Sequence, residues 1–208
     1  MLRSFASVWR ASRLKTLVLL ALAPSVLFPS AYPQSVPEVS TRTWDFSVWA
    51  AGATGEENTN RFSESQVFSA GAFVGRATEE IGRGWLRGRF EYGVDFIPIF
   101  VQFTPERIFG TAFDPIILRW NSTRHRGPVS PFVELAGGGV HTGVNFPAGD
   151  SSTFNFIARG GGGVLIAIRQ NQALELACRW WHISNANLGS RNPEFNGVQV
   201  SLGWHWFK

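Results

Sequence analysis

His182 and Ser184 are the residues of this sequence whose types and spacing could do chemistry. Successive side chains of a β-strand point to opposite faces, so a histidine and a serine two residues apart would share one face. A base that takes the hydroxyl proton makes serine a nucleophile, and a third group usually fixes the imidazole. His-x-Ser also occurs by chance, and two interfacial residues hydrogen-bonded to lipid headgroups are the alternative interpretation. The preceding positions of the same parity are largely apolar: Leu174, Leu176, Cys178 and Trp180.

The rest of the chain is organised as strands that would position this pair. Most residues after position 42 fall into segments in which apolar and polar side chains alternate, and no helical periodicity lies between them. This pattern predicts an all-β fold of eight antiparallel strands. The predicted strands cover residues 43–52, 65–76, 86–96, 111–120, 131–141, 153–169, the run that ends at Ser184, and 198–206.

The apolar faces of these strands carry too many large aromatic residues to be packed inside a small barrel. An eight-stranded barrel encloses a space just wide enough for side chains. We therefore predict a transmembrane β-barrel of the outer membrane, with apolar residues facing lipid and charged residues inside. A soluble lipocalin-like barrel with the opposite arrangement is the alternative. The residues predicted to form a charged network in the lumen are Arg87, Arg89, Glu91, Glu134, Glu175 and Arg179.

The first 31 residues have the features of a secretory signal peptide, with basic residues followed by an apolar run and small residues. Residues 32–42 would form an N-terminal segment and residues 43–208 the barrel domain. The predicted leader holds four of the 19 Lys and Arg and no acid, which leaves 15 basic against 15 acidic residues. A nearly neutral mature chain argues against nucleic acid as a partner. The single cysteine, Cys178, excludes an internal disulfide and a cysteine-based zinc site.

The direction of the strands predicts where the pair would lie in the membrane. Barrels of this class keep both termini in the periplasm, so the seventh strand would end on the outer side. The connections assigned to that side, near residues 53–64, 98–110, 142–152 and 185–197, would be longer than those on the periplasmic side. The pair would then face the outer leaflet, which contains lipopolysaccharide.

The stretch His182-Ile183-Ser184-Asn185-Ala186, with Asn192-Pro193 and an aromatic last strand up to Trp206, resembles the lipid A deacylases of the PagL type. The resemblance implies a serine esterase that hydrolyses an ester-linked acyl chain from lipid A of lipopolysaccharide, without a metal or cofactor. In this family the histidine is the base and the serine the nucleophile. The asparagine that follows is the proposed oxyanion donor, which corresponds to Asn185.

The third member of the site departs from the family pattern. The family has a glutamate in the stretch leading into the last strand, and the residue at matching spacing here is Asn196. An asparagine can orient a histidine, as in papain-like sites, but it brings no charge to stabilise an imidazolium. Glu194 has the same parity and is the alternative acid. The alternative function is therefore a non-enzymatic barrel with a structural or adhesive role, and the sequence leaves open whether the chain forms a homodimer.

Overall fold

The computed structural model describes residues 44–58, 62–124, 127–147 and 152–208. The predicted signal peptide and N-terminal segment lie outside these residues. The described chain consists of eight strands, with a short 3-10 turn at Gly84–Leu86 between the second and the third. No helix among the described residues is long and apolar enough to cross a membrane. The strands are β1 Trp44–Asn58, β2 Phe62–Ile81, β3 Gly88–Thr104, β4 Ile108–Ser122, β5 Val129–Phe146, β6 Ser152–Arg169, β7 Gln172–Ser184 and β8 Glu194–Phe207.

The strands form a closed barrel in which each pairs antiparallel with its neighbours in sequence and β1 pairs with β8. The predicted all-β, eight-stranded architecture is confirmed. The predicted contrast between long outer and short periplasmic connections is wrong, because the strands continue through most of the segments expected to be outer loops. β1 extends to Asn58, β3 extends to Thr104 and β4 already begins at Ile108.

The outer surface of the barrel is apolar along its whole circumference. Representative side chains on it are Phe96, Leu135 and Leu202, which are 55%, 66% and 56% exposed. Residues of opposite parity on the same strands are buried in the lumen. A soluble barrel would bury the first set and expose the second, so the lipocalin-like alternative is wrong and the exterior is suited to lipid.

Ion pairs fill one half of the lumen. Arg119 contacts Glu134 at 2.8 Å and Glu175 at 3.0 Å, and Arg179 contacts the same two carboxylates at 2.5 and 2.9 Å. His205 lies between Glu175 and Asp45 and contacts both carboxylates. Buried charges are tolerated only when they are paired and hydrogen-bonded, and the barrel satisfies this condition across several strands.

The sequence identified some members of the network and misplaced one. Glu91 is buried in the lumen, where it accepts a hydrogen bond from Asn121 at 2.8 Å. The prediction for Arg87 is wrong, because its half-exposed side chain pairs with Glu80 at 2.5 Å outside the buried network. Arg89, two residues further along the chain and within β3, donates to the backbone carbonyl of Thr78 at 3.4 Å.

An apolar aromatic cluster fills the lumen toward the end where β7 finishes. Phe100 packs edge-on against Phe146 and Trp181, with ring centroids 5.3 and 6.0 Å apart. Phe195 packs against Trp181 in the same way at 6.2 Å. All four rings are fully buried. This cluster was not expected from the sequence, which predicted a polar interior throughout.

Arg159 forms a second buried ion-pair centre in the lumen, which gives a test of the lumen's role in stability. Arg159 contacts Asp95 at 3.0 Å and also contacts Asp114. Replacing Arg159 by alanine leaves two buried carboxylates without their cation, so we expect a loss of about 3–5 kcal/mol in unfolding free energy. The measurement is urea unfolding in lipid vesicles, followed by heat-modifiable mobility on gels. The matched control is Arg169→Ala at an exposed position of the same strand, and an equal loss in both variants would contradict the expectation.

Candidate active site

Three side chains at the end of β7 and the start of β8 form a continuous hydrogen-bonded chain. The hydroxyl of Ser184 donates to Nε2 of His182 at 3.0 Å. The Nδ1–H of His182 donates to Oδ1 of Asn196 at 2.8 Å. Register explains the second contact, because Asn196 is the direct cross-strand partner of His182. The imidazole thus presents an unprotonated nitrogen to the serine while its other nitrogen is held by the amide oxygen.

The chain lies on the outside of the barrel wall. Asn196 is exposed, His182 is half-buried and Ser184 is 8% exposed. The ring of Trp180, two residues before the histidine on the same face, stacks on the imidazole with centroids 5.7 Å apart and an interplanar angle of 16°. Sequence reasoning assigned no role to this tryptophan, although the two-residue spacing on a strand was the signal.

The strand that carries the pair is anchored from inside the barrel. Trp181 and Ile183 alternate with His182 and Ser184, point into the aromatic cluster and are fully buried. Phe195, the cross-strand partner of Ile183, is buried in the same cluster. The outward side chains therefore sit on a backbone fixed by close packing, which limits the movement of the serine relative to the histidine.

Asn185 is fully buried and holds the connection between β7 and β8. Its backbone N–H donates to Oδ1 of Asn192 at 2.9 Å, and its side-chain Nδ2 donates to the carbonyl of Arg191 at 2.7 Å. Its Oδ1 accepts from the N–H of Asn187 at 3.0 Å. An oxyanion contact from this side chain would have to use the second hydrogen of Nδ2, so the role implied by the resemblance stays a prediction.

Glu194 lies opposite Ser184 and not opposite His182. It is the cross-strand partner of Ser184 and is half-buried. Both ring nitrogens of His182 are already used by Ser184 and Asn196. Of the two candidates from the sequence, Asn196 thus has the geometry of the orienting group, while Glu194 is placed as a neighbouring charge.

Comparison with known proteins agrees with the resemblance seen in the sequence. The family model described as Lipid A 3-O-deacylase (PagL) matches residues 111–205, which include the candidate site. No curated protein sequence matches the chain significantly. The match confirms the resemblance to this family over the second half of the barrel, which contains the candidate site.

Solved barrels of similar architecture share little sequence with this chain. Neisserial surface protein A has a TM-score of 0.49 at 16% identity, with 77% of this chain and 96% of that chain covered. The outer membrane enzyme PagL has a TM-score of 0.42 at 18% identity, with 76% and 98% covered. OprG from Pseudomonas aeruginosa has a TM-score of 0.46 at 9% identity, with 82% and 98% covered.

The loop-holding contacts of Asn185 give a prediction that does not depend on activity. Asn185→Ala removes two side-chain hydrogen bonds from a buried position, so we expect the β7–β8 connection to open more often. Trypsin should then cleave after the exposed Arg191 at least about tenfold faster, since a loss of about 1.4 kcal/mol changes an opening equilibrium tenfold. The rate is measured by digestion of the folded barrel with mass identification of the fragments. Ser190→Ala in the same connection is the control. Equal cleavage of the two variants would show that the side-chain hydrogen bonds of Asn185 do not hold the connection closed.

Proposed function

We propose that this chain is an outer-membrane serine esterase that removes an ester-linked acyl chain from lipid A of lipopolysaccharide. The observation that supports this function most directly is the hydrogen-bonded chain from Asn196 through His182 to Ser184 on the lipid-facing wall. The family match over residues 111–205 supports the substrate class. No metal or cofactor is needed for a reaction in which a serine attacks an ester.

In the first step the Ser184 hydroxyl attacks the carbonyl carbon of the ester. The proton of the hydroxyl passes to Nε2 of His182 as the bond between Oγ and carbon forms, and the carbonyl oxygen becomes an oxyanion. Backbone N–H groups near Ser184, together with Asn185, would stabilise this oxyanion. The tetrahedral intermediate then breaks its bond to the sugar oxygen, which takes the proton back from His182. An acyl-serine and a lipid A with a free hydroxyl group result.

In the second step water releases the acyl chain. His182 takes a proton from the water while the water oxygen attacks the acyl-serine carbonyl. The second tetrahedral intermediate expels Oγ of Ser184, which recovers the proton from the imidazole. The products are a free fatty acid and the original enzyme. Asn196 would keep the Nδ1–H tautomer through both steps, so that Nε2 is always the nitrogen that exchanges the proton.

The outward location of the site is suited to a substrate that stays in the membrane. An acyl chain that lies along the barrel exterior remains in an apolar environment, so the protein does not have to extract it from lipid. Next to His182 and Trp180, β6 contributes the small residues Ala158 and Gly160, which project little from the outer wall beside the imidazole. Only the ester must be positioned, at the level where the polar headgroups begin.

The nucleophile and base can be tested in cells. Lipid A from Gram-negative cells that express the chain should lose the mass of one hydroxyacyl group, as measured by mass spectrometry. Ser184→Ala and His182→Ala should each lower the deacylation rate by at least about 10³-fold. Nucleophile and base act as one unit, so the loss of either removes most of the rate enhancement. Heat-modifiable mobility shows that each variant is folded. Unchanged lipid A in cells with folded wild-type protein would favour the non-enzymatic alternative, and full activity of Ser184→Ala would exclude this mechanism.

The residue at position 196 gives a second test. Asn196→Glu places a carboxylate next to the imidazole, so we expect kcat to rise about tenfold or more through stabilisation of the imidazolium. Asn196→Ala should lower kcat by about 10- to 100-fold, since the imidazole loses its orienting partner. The measurement is initial-rate kinetics on lipid A in detergent micelles. Glu194→Gln, made in parallel, should have the smaller effect; if it alone abolished activity, Glu194 and not Asn196 would complete the site.

A further inference from the structure

Barrel closure places a carboxylate on the far side of Asn196. On β8, Asn196 is paired with His182 of β7 on one side and with Glu56 of β1 on the other. Cross-strand partners share a face, and their Cβ atoms lie about 4.5–5.5 Å apart. Glu56 is exposed on the same outward surface. Base, amide and carboxylate thus stand in a row across three adjacent strands.

The Asn196 amide has a defined orientation between β7 and β1. Its Oδ1 is turned toward β7, where it accepts the hydrogen bond from Nδ1 of His182. The oxygen and nitrogen of a planar amide lie on opposite sides of the bond to Cβ, so Nδ2 is turned toward β1. An amide nitrogen has two hydrogens to donate and a carboxylate is its strongest acceptor. Glu56 is the acidic side chain that the register places on that side.

Two features next to Glu56 favour the contact with Asn196. The cross-strand partner of Glu56 on its other side is Glu64, also exposed, and like charges directly opposite each other repel. Repulsion from Glu64 therefore disfavours a Glu56 carboxylate that turns toward β2. Next to Glu56 on β1, Gly55 pairs with Gly197 of β8, and an added Cβ at Gly55 would overlap the backbone of Asn196 and Gly197. The glycine permits β1 to approach β8 closely at the level of the site.

We infer that Glu56 is a positioning residue that acts on His182 through Asn196. In this role its carboxylate would accept a hydrogen bond from Nδ2 of Asn196, which would keep Oδ1 directed at the imidazole. It also supplies, one strand further away, the negative charge that an amide at position 196 cannot supply. This inference rests on the proposed function, because it assigns Glu56 a part in the same esterase site. Glu56 does not contact the substrate.

The experiment compares four variants with the wild type: Glu56→Gln, Glu64→Gln, Asn196→Glu and the double variant Glu56→Gln/Asn196→Glu. Glu56→Gln keeps the shape and removes the charge, and Glu64→Gln makes the same change one strand further from His182. Two readouts are used on folded protein in detergent. One is kcat and KM on lipid A, and the other is the rate at which a fluorophosphonate probe labels Ser184, which needs the serine and its base but no lipid A.

We expect Glu56→Gln to lower kcat and the labelling rate by about fivefold to tenfold with KM unchanged, as for partial loss of a general base. Glu64→Gln should stay within about twofold of wild type. Asn196→Glu makes the more distant carboxylate redundant, so adding Glu56→Gln to it should change either rate by less than about twofold, the signature of coupled residues. A merely structural role for Glu56 would reduce activity in both backgrounds equally.

The outcomes separate this inference from the proposed function. If wild type and Glu56→Gln label and turn over equally, Glu56 has no positioning role, while the esterase stands. If the probe labels Ser184 with the expected dependence on Glu56 but lipid A is unchanged, the positioning role stands and the substrate assignment fails. If the probe does not label folded wild type, both are overturned.

Discussion

The pairing of β1 with β8 is the constraint on which the rest of the structure depends. In a bilayer every backbone N–H and C=O must find a partner within the protein, and a sheet with free edges cannot do so. Closure removes both edges and fixes the register of all eight strands at once. It also forces each strand to divide its side chains between lipid and lumen. The candidate site is a consequence of this division, since His182 and Ser184 of β7 and Asn196 of β8 share the outward face.

The lumen supports the site by being filled in two different ways. Charged groups near one end are distant in sequence, as with Asp45 and His205 or Asp95 and Arg159, and they contact only because the barrel is closed. Near the other end, directly behind His182 and Ser184, the filling is aromatic. Rings packed edge-on fix the backbone of β7 directly behind His182 and Ser184.

The sequence predicted the parts of this arrangement that depend on local alternation. The parity of His182 and Ser184, the number of strands and the apolar exterior all follow from a two-residue period. Asn196 follows from its position in the family pattern, and its contact with the imidazole follows from the pairing of β7 with β8. The ion pairs around Arg119 and Arg159 could not be predicted in detail, because several carboxylates were available to each arginine and only the closed register selects among them.

The strand ends were predicted least well, and the reason is physical. The polar residues at the end of β1 and the start of β2 resemble a loop, yet several of them point into the lumen. Glu57 is 1% exposed and accepts a hydrogen bond from Gln102, which also donates to Ser65 at 3.0 Å. A polar residue inside a barrel and a polar residue in a loop look alike in a sequence. Only the fixed register of neighbouring strands distinguishes them.

An amide at position 196 is consistent with the location of the site. A carboxylate next to the imidazole would stabilise its protonated form strongly, but on a wall that faces lipid its own charge would be poorly solvated whenever the imidazole is neutral. An amide avoids this cost and still fixes the tautomer. The exposed Glu56 lies one strand further along the same face, more distant from the imidazole than position 196. In the proposed esterase, such an arrangement would give up part of the rate enhancement in return for a resting state without a carboxylate in direct contact with the neutral imidazole.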